Sequence, residues 1–306
     1  MKFLITGGAG FLGTALANAL ARQGNVVRVI DDVSAGDPSR LDPSVHFTRG
    51  DVNDIPKLWS LLQGVDVVYH LAARVSVSES VLYPRDYNAT NVGGTVSLIQ
   101  AVRDAGVRRI VFTSSGAVYG EQNEERVRED AIPNPGSPYA VSKLAAEHYL
   151  NTIGALWGID TVILRVFNAY GPGQQLRASH PPVVPAMLRQ ALGGGSIIVH
   201  GDGRQQRDFV YVDDVVNALM TAANASTVNR LIINIGSGVP TSINDVVATL
   251  GRSIGKELTP LRVTAESGGV SRLCADLSRA RERLGYVPKV SLDEGMRRTI
   301  EAAKNA

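Results

Sequence analysis

No part of the chain limits its architecture more than ITGGAGFLG, positions 5–13. Gly7, Gly10 and Gly13 recur three apart, directly after the apolar run KFLIT (2–6) and ahead of a helical pattern over 11–22. A strand that turns through glycines into a helix offers unpaired backbone N–H groups to an anion. Gly7 permits the tight turn, Gly10 lets the backbone approach a pyrophosphate, and Gly13 lets helix and strand pack closely. Phe11 and Leu12 belong to the same cofactor-binding turn. The next strand candidate, VVRVI (26–30), leads into Asp31, about 20 residues beyond the motif, where a carboxylate can accept from a ribose 2′-hydroxyl. That charge repels a 2′-phosphate and so favours NAD over NADP. Arg28 and Arg40 pull the other way, because a nearby guanidinium can accept the phosphate. Asp32 is the alternative ribose partner, its other reading being an exposed turn carboxylate. In RGDVND, Asp51 and Val52 either bracket an adenine edge, or Asp51 starts a helix.

Beyond this loop, short β-branched runs alternate with helical patterns. Strand candidates are 2–6, 26–30, 45–49, 65–72, 109–114 and 160–166, with helices over 11–22, 54–63, about 88–105 and 138–156. Near-continuous apolar strands separated by helices predict an α/β fold, a doubly wound parallel sheet covered on both faces. After residue 167 the stretch NAYGPGQQLRASHPP, rich in Gly, Pro and polar residues, reads as a site loop. Helical patterns at 182–193, 213–223, 242–254 and 291–304, with strands at 197–200 and 231–235, predict a smaller, discontinuous C-terminal α/β substrate-binding domain.

Composition narrows the partners. Of 306 residues, 44% are hydrophobic and 20% charged, enough apolar material for a core, and the net charge is only +2. No Lys/Arg run forms a phosphate-backbone footprint, so nucleic acid is not expected. The single cysteine, Cys274, excludes an internal disulfide framework and a multi-thiolate metal site; no metal is expected, and the thiol reads as a small buried apolar group. MKFLITGG is too short for a signal-peptide core and no uncharged stretch reaches the ~18 residues of a membrane span. A cytoplasmic protein with no membrane partner is the expectation.

Chemistry enters through TSSGAVYG and YAVSK. Tyr139 and Lys143 stand four apart in a helical pattern and share a face. A free tyrosine has a pKa near ~10, and an adjacent ammonium favours the phenolate. Ser115, at a strand end, can hydrogen-bond the oxygen that exchanges its proton.

With these residues in view, the chain resembles the extended short-chain dehydrogenase/reductases, and within them the nucleotide-sugar epimerase/dehydratase group. The resemblance rests on TGGAGFLG, GDV, HLAA, SSGAVYG, YAVSK, RVFNAYGP and RDFVYVDD, spread over nearly the whole chain. It implies a Rossmann domain over 1–167 that binds NAD, with returning segments near 208–236. It also implies a nucleotide-sugar-binding cap over 168–306. Leu71, Ala72 and Ala73 would line the cofactor path, with Asn91, also on the cofactor side, near the catalytic water and helix. Asn168 and Arg207 would hold a diphosphate, or else be a turn former and a surface ion pair. The resemblance further implies a homodimer built on the helices at 88–105 and 138–156.

The family shares a first step, oxidation at the sugar 4-hydroxyl by Tyr139, Lys143 and Ser115 with NAD. In 4,6-dehydratases the resemblance would put an Asp-Glu pair after the Ser/Thr, and in sugar-acid decarboxylases a Glu. Gly116 and Ala117 stand there, and neither side chain moves a proton. The expectation is 4-epimerisation of a UDP-sugar, with UDP-glucose/UDP-galactose first. The alternatives are a 4-ketoreductase and a non-catalytic dinucleotide-sensing module. One departure stands out: where many such epimerases carry Arg-x-Gly-Asp, this chain has Glu266 and Gly269. Arg272 either supplies the missing charge or is a solvated strand residue. Leu273 and Cys274 fall where the family tunes room for a 2-acetamido group.

Overall fold

The computed structural model describes residues 1–176, 181–264 and 272–304; Glu266 and Gly269 lie outside the described residues. The first part runs β1 (Lys2–Thr6), α1 (Phe11–Arg22), β2 (Val26–Asp31), β3 (His46–Arg49), α2 (Ile55–Leu62), β4 (Val67–His70), α3 (Val77–Leu82), α4 (Pro84–Tyr87), α5 (Gly94–Ala105), β5 (Arg109–Ser115), α6 (Pro138–Trp157) and β6 (Asp160–Val166). There follow β7 (Asn168–Tyr170), α7 (Val183–Leu192), β8 (Ile198–His200), β9 (Gln206–Tyr211), α8 (Val212–Asn224), β10 (Leu231–Ile235), β11 (Pro240–Ser242), α9 (Ile243–Ile254), β12 (Leu261–Val263), β13 (Arg272–Leu273), α10 (Ser278–Leu284) and α11 (Leu292–Lys304).

Alternate residues of the central strands enter opposite cores. Phe3, Ile5, Val162 and Leu164 pack on one side with Leu16 and Leu20 of α1 and Val215 and Leu219 of α8. Leu4, Val68 and Ile163 pack on the other with Leu58 of α2, Leu98 and Val102 of α5 and Leu150 of α6. A sheet apolar on both faces must be covered on both, the doubly wound arrangement that the strand pattern predicts. The strand order is β10-β6-β5-β4-β1-β2-β3, parallel throughout. Strand order reverses between β1 and β4, which opens a crevice beyond their C-terminal ends.

A second sheet is centred on β9, which pairs antiparallel with β11 and parallel with β13 and β7; β8 and β12 form a separate parallel pair. The segment expected to return near 208–236 therefore divides: β9 stays in the small sheet, while α8 packs on the large one and β10 joins its edge beside β6. The strand expected over 65–72 is confined to Val67–His70; Leu71 N still donates to Thr6 O at 3.0 Å, and beyond it the chain turns along the crevice. The helix expected from 88 opens with a wide π turn over Asn88–Gly93 before α5. No helix among the described residues is long and apolar enough to cross a membrane.

Candidate active site

One cavity of about 320 Å³ opens at the strand-order reversal, within the size range of ligand sites. Gly7, Gly10, Phe11, Leu12, Gly13, Asp31, Asp51, Val52, Leu71, Ala72, Ala73, Ser115, Tyr139 and Lys143, the expected cofactor and catalytic residues other than Asn91, all line it.

Its floor is the glycine turn. Gly7 has φ +70, and a Cβ there would sit 2.6 Å from the Ala72 nitrogen. A Cβ on Gly13 would lie 2.2 Å from the Gly7 carbonyl oxygen, so only glycine lets α1 start this close to β1. No side chain caps α1, which leaves its first-turn amides for a ligand anion. Space kept by glycine, amides without a protein acceptor and an acid at the far end together fit a dinucleotide diphosphate and ribose.

That acid is Asp31. Its carboxylate accepts from Ala9 N at 3.0 Å and Val33 N at 2.8 Å; burial raises its pKa against the pull of those donors. Asp32 instead accepts from the Ser34 amide and hydroxyl, a turn role. Arg28 is turned away and donates to the Leu61 and Gln63 carbonyls. Arg40 lines the cavity, but its guanidinium donates to Gly173 O at 2.6 Å, tying the turn after β2 to the loop after β7. Asp51 accepts from the Asn53 amide; Asp54, not Asp51, caps α2.

The opposite wall carries the reactive groups. Ser137 caps α6 with Pro138 in its first turn, a start that places Tyr139 and Lys143 one turn apart over the crevice. Ser115 ends β5 and accepts from Ala117 N at 3.1 Å, facing the same space. Gly116 is packed close to the Phe167 ring. Lys143 is 3% exposed, and its Nζ lies 4.5 Å from the centre of the Phe112 ring. Burial lowers its pKa from 10.5 to about 7, opposed by the Glu147 carboxylate. His70 below it is held between the Thr6 and Thr95 hydroxyls at 2.7 and 2.8 Å. Burial, with Lys143 nearby, lowers its pKa to about 3, so the imidazole is neutral.

Other expected residues are placed elsewhere. Asn91 does not line the cavity: its amide accepts from Arg74 N and donates to Arg74 O and to Ser142 Oγ, bracing the wall from behind. Asn168, Arg207 and Arg272 gather on the small sheet, where Asn168 pairs with Phe209 and Leu273 with Arg207. Asn168 donates to Asp208 O and Arg207 to Gln206 O. Arg272 forms an exposed ion pair with Glu125 at 3.3 Å, while its buried Nε has no hydrogen-bond partner. Leu273 and Cys274 are buried and line no part of the cavity. The Cys274 thiol, 3.7 Å from Asp208, is pushed up to about 12 by burial. Among the described residues no three His, Cys, Asp or Glu side chains gather as a metal would require.

Two groups escaped the sequence reading. Asp208 is buried and accepts from the Ser237 amide (2.6 Å) and hydroxyl (2.7 Å), Gly238 N (2.9 Å) and Ala275 N (3.1 Å). Glu147 and Arg165 form a buried ion pair beneath Lys143. Neither has a local signal, since their partners come from distant strands.

Known proteins resemble this chain in sequence and in fold. Residues 3–236 match the family described as "NAD dependent epimerase/dehydratase family". The UDP-glucose 4-epimerase of Mycolicibacterium smegmatis is 36% identical over 312 residues, covering 100% of this chain and 99% of that protein. The crystal structure of a UDP-glucose 4-epimerase from Thermotoga maritima with UDP-glucose superposes with a TM-score of 0.96 at 34% identity, covering 100% and 99% of the two chains. A UDP-glucuronic acid 4-epimerase from Bacillus cereus, in complex with UDP-glucuronic acid and NAD, has a TM-score of 0.91 at 33% identity, covering 100% and 99%.

Proposed function

From the premise that this chain belongs to the NAD-dependent epimerase/dehydratase family and uses NAD, we propose that it inverts C4 of a UDP-hexose, interconverting UDP-glucose and UDP-galactose. The observation that carries the reading is the convergence of Ser115, Tyr139 and Lys143 on the cavity floored by the glycine turn. The first-turn amides of α1 would hold the cofactor diphosphate and Asp31 its ribose. Bound there, the dinucleotide supplies reversible two-electron chemistry at the sugar carbon.

The chain's own work is proton transfer and exclusion. Tyr139 takes the 4-hydroxyl proton and later returns one, Ser115 orients that oxygen, and Lys143, when cationic, favours the ionised tyrosine. Gly116 and Ala117 offer no acid or base to act at the neighbouring carbon, so the ketone has no route to dehydration. Asn168, Arg207 and Arg272 grip the substrate diphosphate from the small sheet, which with its flanking segments of 168–306 forms the cap. Asn91 positions α6 through Ser142.

Val141 and Tyr149 on α6 are exposed apolar groups, and they support a homodimer through this helix and α5; light scattering at micromolar concentration should give twice the chain mass. The activity test is conversion of UDP-galactose to UDP-glucose by purified protein with catalytic NAD. No turnover with any UDP-hexose, or stoichiometric consumption of reduced cofactor, overturns the reading.

A further inference from the structure

A lysine that serves a tyrosine through its charge must hold a proton, yet Lys143 lies where burial works against one. The nearest compensating carboxylate is Glu147, one turn further along the same face of α6. Glu147 is not free to pair with it. Arg165 grips both oxygens, Nε at 3.0 Å and Nη2 at 2.7 Å, and the Ser114 hydroxyl donates to the same carboxylate. Both ion-pair partners are only 2% exposed. Ser114 and Arg165 are register partners on β5 and β6, so one strand pair presents both donors to α6. The guanidinium also lies 4.6 Å over the Tyr119 ring, whose hydroxyl donates to Asn234 at 2.7 Å.

We infer that Glu147 and Arg165 are positioning residues whose buried ion pair sets how much negative charge reaches Lys143, and so the pH range over which Lys143 supports Tyr139. A buried ion pair is weak evidence for stability, because desolvation cancels most of its attraction. Its worth here is in the charge balance. Lys143, Glu147 and Arg165 sum to one positive charge when Lys143 is protonated. Without Glu147, two buried cations stand close with no anion between them, and Lys143 loses its proton more easily. Without Arg165, Lys143 is the one cation left beside the Glu147 carboxylate, whose other partner is the neutral Ser114 hydroxyl, and it then holds its proton more tightly. The other groups facing Lys143 do not offset this. His70 of β4 is neutral, Phe112 of β5 presents a ring face, and Ser114 and Ser115 are hydroxyls. On α6 itself there is Tyr139, edge-on to Tyr87 of α4, whose hydroxyl donates to Glu79. Tyr119 lies behind Arg165, and Glu129 accepts from the Asn234 amide beyond it.

The inference rests on the Tyr139–Lys143 reading above, and the test separates the two. In the NAD-loaded enzyme, the basic limb of the kcat–pH profile should move toward acid by about one pH unit in Glu147→Gln and toward alkali by about one in Arg165→Gln. Lysine-labelled protein, followed by NMR, should show the Lys143 titration moving in the same opposite senses, a readout independent of turnover. A pair that merely braces α6 against the sheet moves neither limb, or both the same way, and that result overturns the inference. If the glutamine variants do not accumulate folded, Arg165→Lys carries the test: it keeps a cation but loses the fork, and should move the limb toward alkali by less; an unmoved limb refutes the proposal. Tyr139→Phe is the control. If it stays active, the catalytic reading has failed; if it is inactive while the limbs stand still, only this inference has.

Discussion

Replacing Lys143 by methionine should abolish epimerisation and at the same time stabilise the nucleotide-free protein. Burial brings the Lys143 pKa from 10.5 to about 7, and each tenfold displacement of a proton equilibrium is worth about 1.4 kcal/mol. The protonated lysine therefore costs on the order of 4–5 kcal/mol below pH 7. The Phe112 ring face returns about 1–2 kcal/mol of that. A methionine of similar length removes both, for a net gain of about 2–4 kcal/mol, or roughly 5–10 °C in melting temperature for a large domain. The sign with pH follows from proton counting. Below about pH 7 both folded and unfolded chains hold the proton and the whole cost is present. Between about 7 and 10.5 only the unfolded chain holds it, so wild-type stability rises with pH. Thermal melts of the two stripped proteins across this range are the assay. An advantage for Lys143→Met that is largest near pH 6 and shrinks toward pH 10 is expected. A variant that melts at or below wild type near pH 6, or keeps the wild-type slope, refutes the assignment of Lys143 as a buried, strained cation.

Gly13→Ala drives a methyl group into the Gly7 carbonyl and should weaken NAD binding by about 100-fold or more, read by calorimetric titration; undiminished affinity refutes the close approach. Asp31→Ala removes the charge that opposes a 2′-phosphate and should cut the preference for NAD over NADP at least about tenfold, measured by competitive binding; an unchanged ratio means that Asp31 does not govern the choice and leaves it to Arg40, the guanidinium on the cavity wall. The Cys274 thiol is buried and pushed up to about 12, so iodoacetamide near pH 8 should modify it only at the rate of unfolding. Rapid alkylation of the folded protein contradicts that placement.

What the sequence disclosed was whatever chemistry is local. The glycine turn, Asp31 at a strand end and Tyr139 one helical turn from Lys143 each depend on residues a few positions apart, and the cavity contains all of them. The strand β9 was hidden because QRDFVY mixes charge with apolar residues and runs without a turn into VDDVVNALM. The partner of Arg40 is a carbonyl 133 residues away, and nothing near either end announces it. Glu147 looked like one more polar residue on α6. Only the register that sets Ser114 beside Arg165 makes it half of a buried ion pair. The sequence puts Asn91 near the catalytic helix but does not show that the π turn carrying it spends its amide on Arg74 and Ser142, behind the cavity wall.

Asp208 constrains how the cleft can breathe. Its donors come from the turn leaving β10 of the large sheet and from Ala275 just past β13 of the small one. Spreading the two sheets along that seam would strip a buried carboxyl group of its hydrogen-bond donors, at a cost of several kcal/mol. That seam therefore behaves as a weld. Widening to admit a bulky sugar nucleotide falls to the other rim, where the one bridge among the described residues, from Arg40 to the Gly173 carbonyl, is exposed and can exchange its partner for water.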